Sequence, residues 1–430
     1  MRKILVFFIV LLLPVMACAE TTKIDNCPEL SSEENTLLEI LEIGLCRNPI
    51  TRMGYLMMEA ARLGKNAAYA AYLPRITGNM SMGASSFDNF DMWSTGASVS
   101  ATYLIFDFGR RFSELARLAA IWRATGFDYE DTVQTYVYGL VAAYYGLLIA
   151  DAELAADHEL VAAAQEAKDM ADRKFRAGTV ARVEVLRADT TLAMRKTDLE
   201  RSIGTREIAV ARLLAQMSLP QGTEIKIADM PATFGDASEI QNVQELIETA
   251  NKKRPDLLAA AALTSANWHA RNIAFTRFMP TLSATGGMNW DFDTGMRESR
   301  VGMNASVPLF MGFENVFNAR IAMLNYERAQ ESERRAADVA HLDVWTAFNN
   351  YKVAVEVLNA TNVLLESAAE TERVVAGMYR VGRGTMLDWQ IAQADWATAQ
   401  RQNAAARYDL FIRRAALAMS IGDLKSADIR

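Results

Sequence analysis

Proline is scarce in this chain of 430 residues, and it is unevenly placed. Of the nine prolines, none lies between Pro74 and Pro220, and none follows Pro308. Proline disrupts helix interiors and is common at turns. A fold of short elements joined by many turns would not normally leave two such gaps. The gaps therefore indicate long helices or an unusual architecture.

Histidine and cysteine are also scarce, with three residues of each type. The histidines are far apart and no Cys-x-x-Cys pair occurs, so the sequence predicts no zinc site, no redox site and no cofactor. It contains no nucleotide-binding motif and no nucleophile elbow, which argues against an enzyme. The net charge of −7 argues against a nucleic-acid partner.

The N-terminus has the features of a secretory signal peptide. Two basic residues precede an apolar run over residues 4–13, and the triplet at 17–19 offers a small-residue cleavage site. The run is too short to serve as a permanent membrane helix. We therefore expect export, with cleavage after Ala19. As an alternative, residues 15–18 loosely resemble a lipoprotein box, which would make Cys18 the lipidated first residue.

Either cleavage leaves two unmodified cysteines, Cys27 and Cys46. An even pair in an exported chain predicts a disulfide, and two free thiols are the alternative.

No later stretch predicts a transmembrane helix. The most apolar one, residues 133–150, contains Gln134, Thr135 and four tyrosines, and Asp151 follows it directly. A buried helix of a bundle explains this composition better than a lipid-facing span. If the exported chain enters a membrane, it must do so through β-strands, because backbone polar groups need partners there.

Landmarks in the first half of the chain recur in the second half, 204 to 206 residues later. Their order and spacing predict a duplicated unit of roughly 180 residues. The matched landmarks are Asn48-Pro49 with Arg254-Pro255, Leu73-Pro74 with Met279-Pro280, Leu104-Ile105-Phe106 with Pro308-Leu309-Phe310, and Phe175-Arg176-Ala177-Gly178 with Tyr379-Arg380-Val381-Gly382.

Each unit has the same internal plan: a helix, then a β-hairpin, then a long helical hairpin that turns at a glycine. In the first repeat, 49–219, the hairpin is predicted over 76–106 and the helical hairpin over 109–217. In the second repeat, 255–421, they are predicted over 281–310 and 312–419. The remaining segments are the signal peptide 1–19, an N-terminal segment 20–48, a linker 220–254 and a C-terminal tail 422–430.

The predicted strands are about ten residues long and alternate apolar with small polar side chains, as from Leu282 to Phe292. This pattern is typical of a transmembrane barrel and also of a soluble, half-buried sheet. The export signal favours the barrel. Aromatic residues near the strand ends suit interfacial girdles, with ordinary core packing as the alternative. They are Tyr103, Phe106, Phe108, Trp290 and Phe292.

Four strands per chain cannot close a barrel, and open sheet edges are not tolerated in lipid. The chain must therefore oligomerise if it spans the membrane. A dimer would supply eight strands and a plugged interior, whereas a trimer would supply twelve and leave room for a passage.

The order of these features resembles the TolC-like outer-membrane efflux family over nearly the whole mature chain. The residues that carry the resemblance are Leu-Cys-Arg-Asn-Pro at 45–49, Tyr-Leu-Pro at 72–74, Ile-Phe-Asp-Phe-Gly-Arg at 105–110 and the two helical-hairpin tips. The family's strand-to-helix motif is close to Pro-Leu-Phe-Asp-Gly-Gly. The first copy here has Phe108 in place of a glycine, and the second copy, at 308–313, lacks the aspartate.

The resemblance implies a mainly α-helical fold with transmembrane β-strands. It implies a homotrimer with a twelve-stranded barrel in the lipid of the outer membrane, an α-helical tunnel in the periplasm and a mixed equatorial region. It also implies two partners, a periplasmic adaptor and an inner-membrane transporter.

The resemblance assigns a gate to Asp388, which would recur three times around the narrow end of the tunnel. Glu184 is the first-repeat counterpart, and Ile391 stands where family members often have a second aspartate. From the residues alone, an ordinary acid in the first turn of a helix is the favoured interpretation of Asp388, and only the resemblance favours a gate. The resemblance further assigns adaptor docking to the tips, where the glycines are also needed for chain reversal. These residues are Arg176, Gly178, Thr179, Arg380, Gly382 and Arg383.

The sequence thus predicts an exit duct for small toxic compounds or for a secreted polypeptide. The alternative is a structural exported coiled-coil protein without a channel.

Overall fold

The computed structural model describes residues 27–28, 30–31, 34–87, 90–229 and 242–424. The predicted signal peptide and the candidate lipidation site Cys18 lie outside these ranges. The described chain is mainly helical, with one four-stranded antiparallel sheet. Its helices are α1 (Leu37–Arg47), α2 (Pro49–Ala68), α3 (Arg110–Arg176), α4 (Arg182–Gln216), α5 (Val243–Lys253), α6 (Pro255–Thr276), α7 (Glu314–Arg380) and α8 (Met386–Ser420). Its strands are β1 (Arg75–Phe87), β2 (Phe90–Phe106), β3 (Thr281–Asp291) and β4 (Arg297–Ser306).

The two halves repeat one another in element length and in backbone conformation. Helices α3 and α7 have 67 residues each, α4 and α8 have 35 each, and α1 and α5 have 11 each. At 1.5 Å per residue, α3 and α7 are each about 100 Å long. Left-handed residues also recur at the same spacing of 204: Phe108 and Gly109 match Gly312 and Phe313, and Gly178 matches Gly382. A shared backbone therefore underlies both repeats.

The joint between each short helix and each long helix is also repeated. In the first repeat, Arg111 at the start of α3 donates from Nη1 to the carbonyl oxygen of Ala71 at 3.2 Å. The buried carboxylate of Asp107 accepts from the backbone N–H and the Nε of Arg111, at 2.9 and 3.1 Å. In the second repeat, the amide of Asn315 donates to the carbonyl oxygen of Arg277 at 3.4 Å. Both contacts join the end of the short helix to the start of the long helix, on either side of the β-hairpin.

Cation–π contacts join the same helices further along. Lys65 on α2 places Nζ 3.9 Å from the ring centre of Trp122 on α3. At the equivalent positions of the second repeat, the guanidinium of Arg271 lies 5.7 Å from the ring of Tyr326. It also lies 3.6 Å from the ring of Trp268. Each short helix is thus attached to its long helix by the same type of contact.

The strands pair in the order β1-β2-β3-β4, so β1 and β4 are the two edges. Strand β4 ends at Ser306, whereas the sequence predicted strand through residue 310. The prediction of strand for Val307 was therefore wrong. Pro308 lacks the N–H that a ladder needs and restricts the residue before it.

The helices pack side by side in two layers that follow one another along the long helices α3 and α7. These two helices extend through both layers. In the layer next to the sheet, α2 packs on α3, α3 on α6, and α6 on α7. In the layer of the helical hairpins, α4 packs on α3, α3 on α8, and α8 on α7. Each layer therefore has one edge from the first repeat and one edge from the second.

The largest core lies between the two layers. Its centre is a set of fully buried side chains of α1, α3, α4 and the residue that follows α4, namely Ile40, Ile43, Leu140, Tyr144, Leu147, Leu213 and Met217. The Tyr136 hydroxyl donates to the carbonyl oxygen of Gln216 at 2.8 Å. Burial raises the pKa of Tyr136 to about 12. Cys27 and Cys46 form a disulfide with Cα atoms 5.6 Å apart, which attaches the N-terminal segment to α1.

Among the described residues, one helix, Arg110–Arg176, is long and apolar enough to cross a membrane. This is a weak indication, because the core helix of a folded bundle meets the same criterion. The apolar part of α3 supplies Tyr136, Leu140 and Tyr144 to the core just described.

Candidate functional site

The sheet has one apolar and one polar face, because the strand register aligns the two alternating patterns across all four strands. The apolar face carries Ile76, Met80, Met82, Val99, Ala101, Tyr103, Leu282, Ala284, Met288, Trp290, Val301 and Met303. The polar face carries Arg75, Thr77, Asn79, Ser81, Ser98, Ser100, Thr102, Ser283, Thr285, Asn289, Asp291, Glu298, Arg300 and Asn304. A hydrogen bond of 2.8 Å between the hydroxyls of Thr77 and Ser100 joins two strands on the polar face.

Aromatic residues mark both ends of the apolar face. At the helix end, the rings of Phe106 and Phe108 lie edge to face at 4.7 Å, close to the exposed Tyr103. At the turn end, Phe292 is exposed, and Trp290 pairs in register with Arg297. The five predicted girdle residues therefore lie at the two ends of the sheet.

Further aromatic residues at these ends were not predicted as girdle residues. Trp93 is exposed at the turn end of β2. Phe310 and Phe313 form an edge-to-face pair at 5.6 Å at the helix end. Phe310 matches Phe106 of the first repeat, whereas Phe313 matches Gly109 and not Phe108. The alternation of apolar and polar residues is weaker in β1 and β2 than in β3 and β4. For this reason the sequence did not predict that Trp93 lies at a strand end.

The opposite end of the molecule is formed by the tips of the two helical hairpins. Both turns have the same hydrogen bonds: the N–H of Thr179 bonds the carbonyl oxygen of Lys174 at 3.0 Å, and the N–H of Arg383 bonds that of Met378 at 2.9 Å. The positive φ of Gly178 (72°) and Gly382 (78°) makes each reversal possible. All six predicted docking residues are exposed: Arg176, Gly178, Thr179, Arg380, Gly382 and Arg383.

Asp388 is an exposed residue in the first turn of α8, and its carboxylate forms a capping box with Thr385. It accepts from the Thr385 hydroxyl at 2.6 Å and from the Thr385 backbone N–H at 3.3 Å. The Thr385 hydroxyl in turn accepts from the Asp388 N–H at 3.1 Å. The structure thus assigns this carboxylate a local role in starting the helix.

Glu184 lies close to the other tip. It is half-buried in the first turn of α4. Burial raises the pKa of Tyr379, and the negative charge of Glu184 raises it further. Tyr379 is the penultimate residue of α7, so the charge of the first-repeat acid influences a residue of the second-repeat tip.

A cluster around Tyr379 joins the two tips. Lys174, near the end of α3, places Nζ 3.7 Å from the Tyr379 ring centre and donates to the Tyr379 carbonyl oxygen at 3.2 Å. Trp389 stacks on the same ring at 5.3 Å, and its indole N–H donates to Glu372 at 3.0 Å. Sequence reasoning missed Lys174, because no local pattern brings residues 205 positions apart into contact. It also missed Trp389, whose contacts with Tyr379 and Glu372 depend on how the second hairpin folds back at its tip.

A buried polar contact joins the two repeats midway along the hairpin layer. Asp157 on α3 is buried and accepts from Nη1 of Arg401 on α8 at 2.8 Å. Its second carboxylate oxygen accepts from the hydroxyl of Ser202 on α4. The contact holds three helices in register. In the described ranges, no group of three or more histidine, cysteine, aspartate or glutamate residues could hold a metal ion.

The sequence matches the family model described as outer membrane efflux protein over residues 41–217 and 246–423. Protein CyaE of Bordetella pertussis is 24% identical over 417 residues, covering 92% of this chain and 86% of CyaE. Outer membrane protein TolC of Escherichia coli K12 is 24% identical over 428 residues, covering 93% of this chain and 84% of TolC. The fold is similar to the crystal structure of the Campylobacter jejuni CmeC outer membrane channel, with a TM-score of 0.81 and 18% identity, covering 90% of this chain and 86% of CmeC.

Proposed function

This chain belongs to the outer membrane efflux protein family, and we propose that it forms a trimeric exit duct through the outer membrane. The sheets of three copies form a closed barrel of twelve strands, and the helices form a tunnel on the periplasmic side. The duct carries small toxic compounds or a secreted polypeptide. A periplasmic adaptor and an inner-membrane transporter supply the substrate and the energy.

The observation that carries this proposal is that each layer leaves a first-repeat edge and a second-repeat edge open. The edges are β1 and β4 in the sheet, α2 and α7 in the next layer, and α4 and α7 in the hairpin layer. A head-to-tail association joins the first-repeat edge of one copy to the second-repeat edge of the next at all three levels. Such heterologous contacts form a closed ring when the rotation closes.

The open edges of the helical layers also carry exposed apolar side chains. On α2, Met53, Leu56 and Leu63 are 47–60% exposed and lie opposite the face that packs on α3. On α7, Phe317, Ile321 and Leu324 are 49–65% exposed. Apolar surface of this extent on a folded chain is typical of an interface. Full burial of an exposed leucine contributes about 1.5–3 kcal/mol, so burying the exposed half of each of these side chains contributes about 1 kcal/mol.

The two-faced sheet supports the membrane part of the proposal. Lipid requires a closed sheet with its apolar face outward. From Leu282 to Trp290 the apolar face of β3 extends about 26 Å along the strand, close to the height of the apolar band of outer-membrane barrels. The polar face then lines the passage.

The exposed tips support adaptor docking at the far end of the tunnel. Both turns present an arginine to solvent, Arg176 and Arg380, and Arg383 adds a third. Their backbone hydrogen bonds are complete within each turn. A partner can therefore bind the side chains without rebuilding the loops.

Substitution of matched leucines tests the proposed assembly. Leu56 on the edge helix α2 and Leu263 on the central helix α6 are 47% and 44% exposed. We expect the wild-type chain, purified in detergent, to migrate as a heat-modifiable trimer and to conduct ions in a planar bilayer. Leu56→Glu should shift the protein to monomer, whereas Leu263→Glu should remain a trimer.

A wild-type chain that stays monomeric and non-conducting would overturn the proposal and favour a structural coiled-coil protein. A Leu56→Glu trimer as stable as wild type would overturn the edge-to-edge arrangement.

A further inference from the structure

The polar face of the sheet contains one ion pair close to its turn end. Arg300 Nη2 and Glu298 Oε1 are 2.8 Å apart on β4, with 84% and 61% of their side chains exposed. Both residues lie on the polar face, because Arg300 pairs in register with Gly287 and Glu298 pairs with Asn289. The pair therefore projects from the face that would line the passage.

The rest of the surface at this level carries no charge. Two neighbouring rows of side chains cross the sheet here, and each begins at β1 and ends at one member of the pair. The rows are Thr77, Ser100, Gly287 and Arg300, and Asn79, Ser98, Asn289 and Glu298. Apart from the pair, both rows consist of hydroxyl, amide and glycine groups. An ion that passes this level meets two fixed charges per chain.

A shallow concavity of about 210 Å³ lies between the two rows, and the ion pair forms one wall of it. The concavity exists partly because Gly287 has no side chain. Ser98, Ser100 and Asn289 contribute the rest of its polar lining. The guanidinium and the carboxylate are therefore accessible to solutes in the passage.

The next charged residue on the same face of the sheet is Asp291, at the end of β3. Its carboxylate accepts from the backbone N–H groups of Asp293 and Thr294, both at 3.0 Å. These donors within the β3–β4 turn offset part of its charge. Arg300 is thus the basic side chain that faces these carboxylates on the polar face at the turn end of the sheet, whereas Arg297 lies on the apolar face.

We propose that Arg300 and Glu298 set the charge selectivity of the passage at the level of these two rows, near the turn end of the sheet. The proposal rests on the proposed function, in which the polar face of three sheets surrounds the lumen. Each residue then recurs three times, so the two contributions cancel in the wild type. Charged groups that line a barrel tune its ion selectivity.

The test measures the reversal potential of purified trimers in planar bilayers under a KCl gradient. Arg300→Gln removes three positive charges and should raise the ratio of K⁺ to Cl⁻ permeability about two-fold near 10 mM salt, where the screening length is about 30 Å. Glu298→Gln should lower the ratio by a similar factor. Both shifts should fade at 1 M salt, where the screening length is about 3 Å.

Two variants serve as controls. Arg297→Gln removes the same charge from the same strand, but Arg297 pairs with Trp290 on the apolar face. Its reversal potential should equal that of wild type. Arg300→Lys keeps the positive charge and should therefore keep the wild-type reversal potential.

Three results would overturn the inference. The first is that Arg300→Gln and Glu298→Gln trimers conduct with an unchanged reversal potential, which leaves the proposed duct intact. The second is an equal shift in Arg297→Gln, which would show that distance along the strand matters and the face does not. The third is a wild-type trimer that does not conduct, which would remove the proposed function together with this inference.

Discussion

Lys174 supplies a cation–π contact and a hydrogen bond to the joint between the two tips, which also contains a buried apolar cluster that includes Ala171, Ala188 and Trp389. In the proposed duct, replacing Lys174 should loosen this joint. Both of its contacts described above cross from α3 to Tyr379 on α7. The change to test is Lys174→Met, which keeps the length and much of the apolar stem of the side chain. It removes the ammonium group that makes both contacts.

The expected magnitude follows from those two contacts. A cation–π contact at a half-buried site contributes about 1 kcal/mol. A hydrogen bond from a charged donor contributes about 1.5 kcal/mol, and partial exposure reduces it. Together they stabilise the joined tips by about 2 kcal/mol, which is roughly 30-fold in an equilibrium between joined and separated tips. A duct that is closed about 99% of the time would then be closed about three-quarters of the time.

Single-channel recording of purified trimers measures this change directly. Lys168→Met is the matched control, because Lys168 bonds Asp189 at 2.7 Å within the first repeat and does not reach the second tip. We expect the fraction of time that the channel is open to rise in Lys174→Met and to stay at the wild-type value in Lys168→Met. In Lys174→Arg, which keeps the positive charge, the open fraction should be close to that of wild type. An open fraction in Lys174→Met equal to that of wild type, in a trimer of normal stability, would refute the reasoning.

Three further predictions concern stability, each measured as the temperature at which the trimer dissociates. Asp107→Ala leaves the 88%-buried Arg111 side chain without its carboxylate partner and should lower the stability by about 2–3 kcal/mol. Met311→Ala, at the equivalent position of the second repeat, should lower it by less than 1 kcal/mol. Equal losses in the two variants would contradict the role of the ion pair. Gly382→Ala should cost about 1 kcal/mol through backbone strain alone, because φ is 78° and nothing lies within 4 Å of the added methyl group; no loss would show that the tip relaxes. Lys65→Met should cost about 1 kcal/mol by removing the cation–π contact with α3, and an unchanged temperature would contradict that contribution.

The parts of the fold that the sequence predicts are those set by local patterns. Alternation of period two marked the strands, the glycines at 178 and 382 marked the tips, and Pro49 and Pro255 marked the starts of α2 and α6. The strand-to-helix turns were only partly foreseen. Phe108 and Phe313 have positive φ values of 53° and 66°, and an aromatic residue in that conformation costs about 1 kcal/mol.

Other parts depend on contacts that no local pattern reveals. The short helices α1 and α5 were not predicted, although the Thr36–Glu39 capping box at α1 is a readable start signal. The end of β4 was placed too late, as Ser306 shows. The cluster at the tips requires the two hairpins to be folded against each other. Sequence spacing predicts which residues reach a tip, but not which of them touch.

The two acids at the tips show why spacing alone cannot assign a gate. Glu184 and Asp388 are 204 residues apart and equivalent by repeat, so the sequence treats them alike. Thr385 ties the Asp388 carboxylate into a capping box. The matching residue in the first repeat is Ala181, which has no side-chain acceptor or donor, so helix capping does not explain the acid at 184. Capping accounts for Asp388 without any gate, whereas the charge of Glu184 acts on the buried Tyr379 across the two hairpins. We therefore expect Glu184→Gln to change single-channel conductance and cation block more than Asp388→Asn, which keeps a capping oxygen. The reverse order would show that the exposed carboxylate of Asp388 controls the aperture in addition to capping its helix.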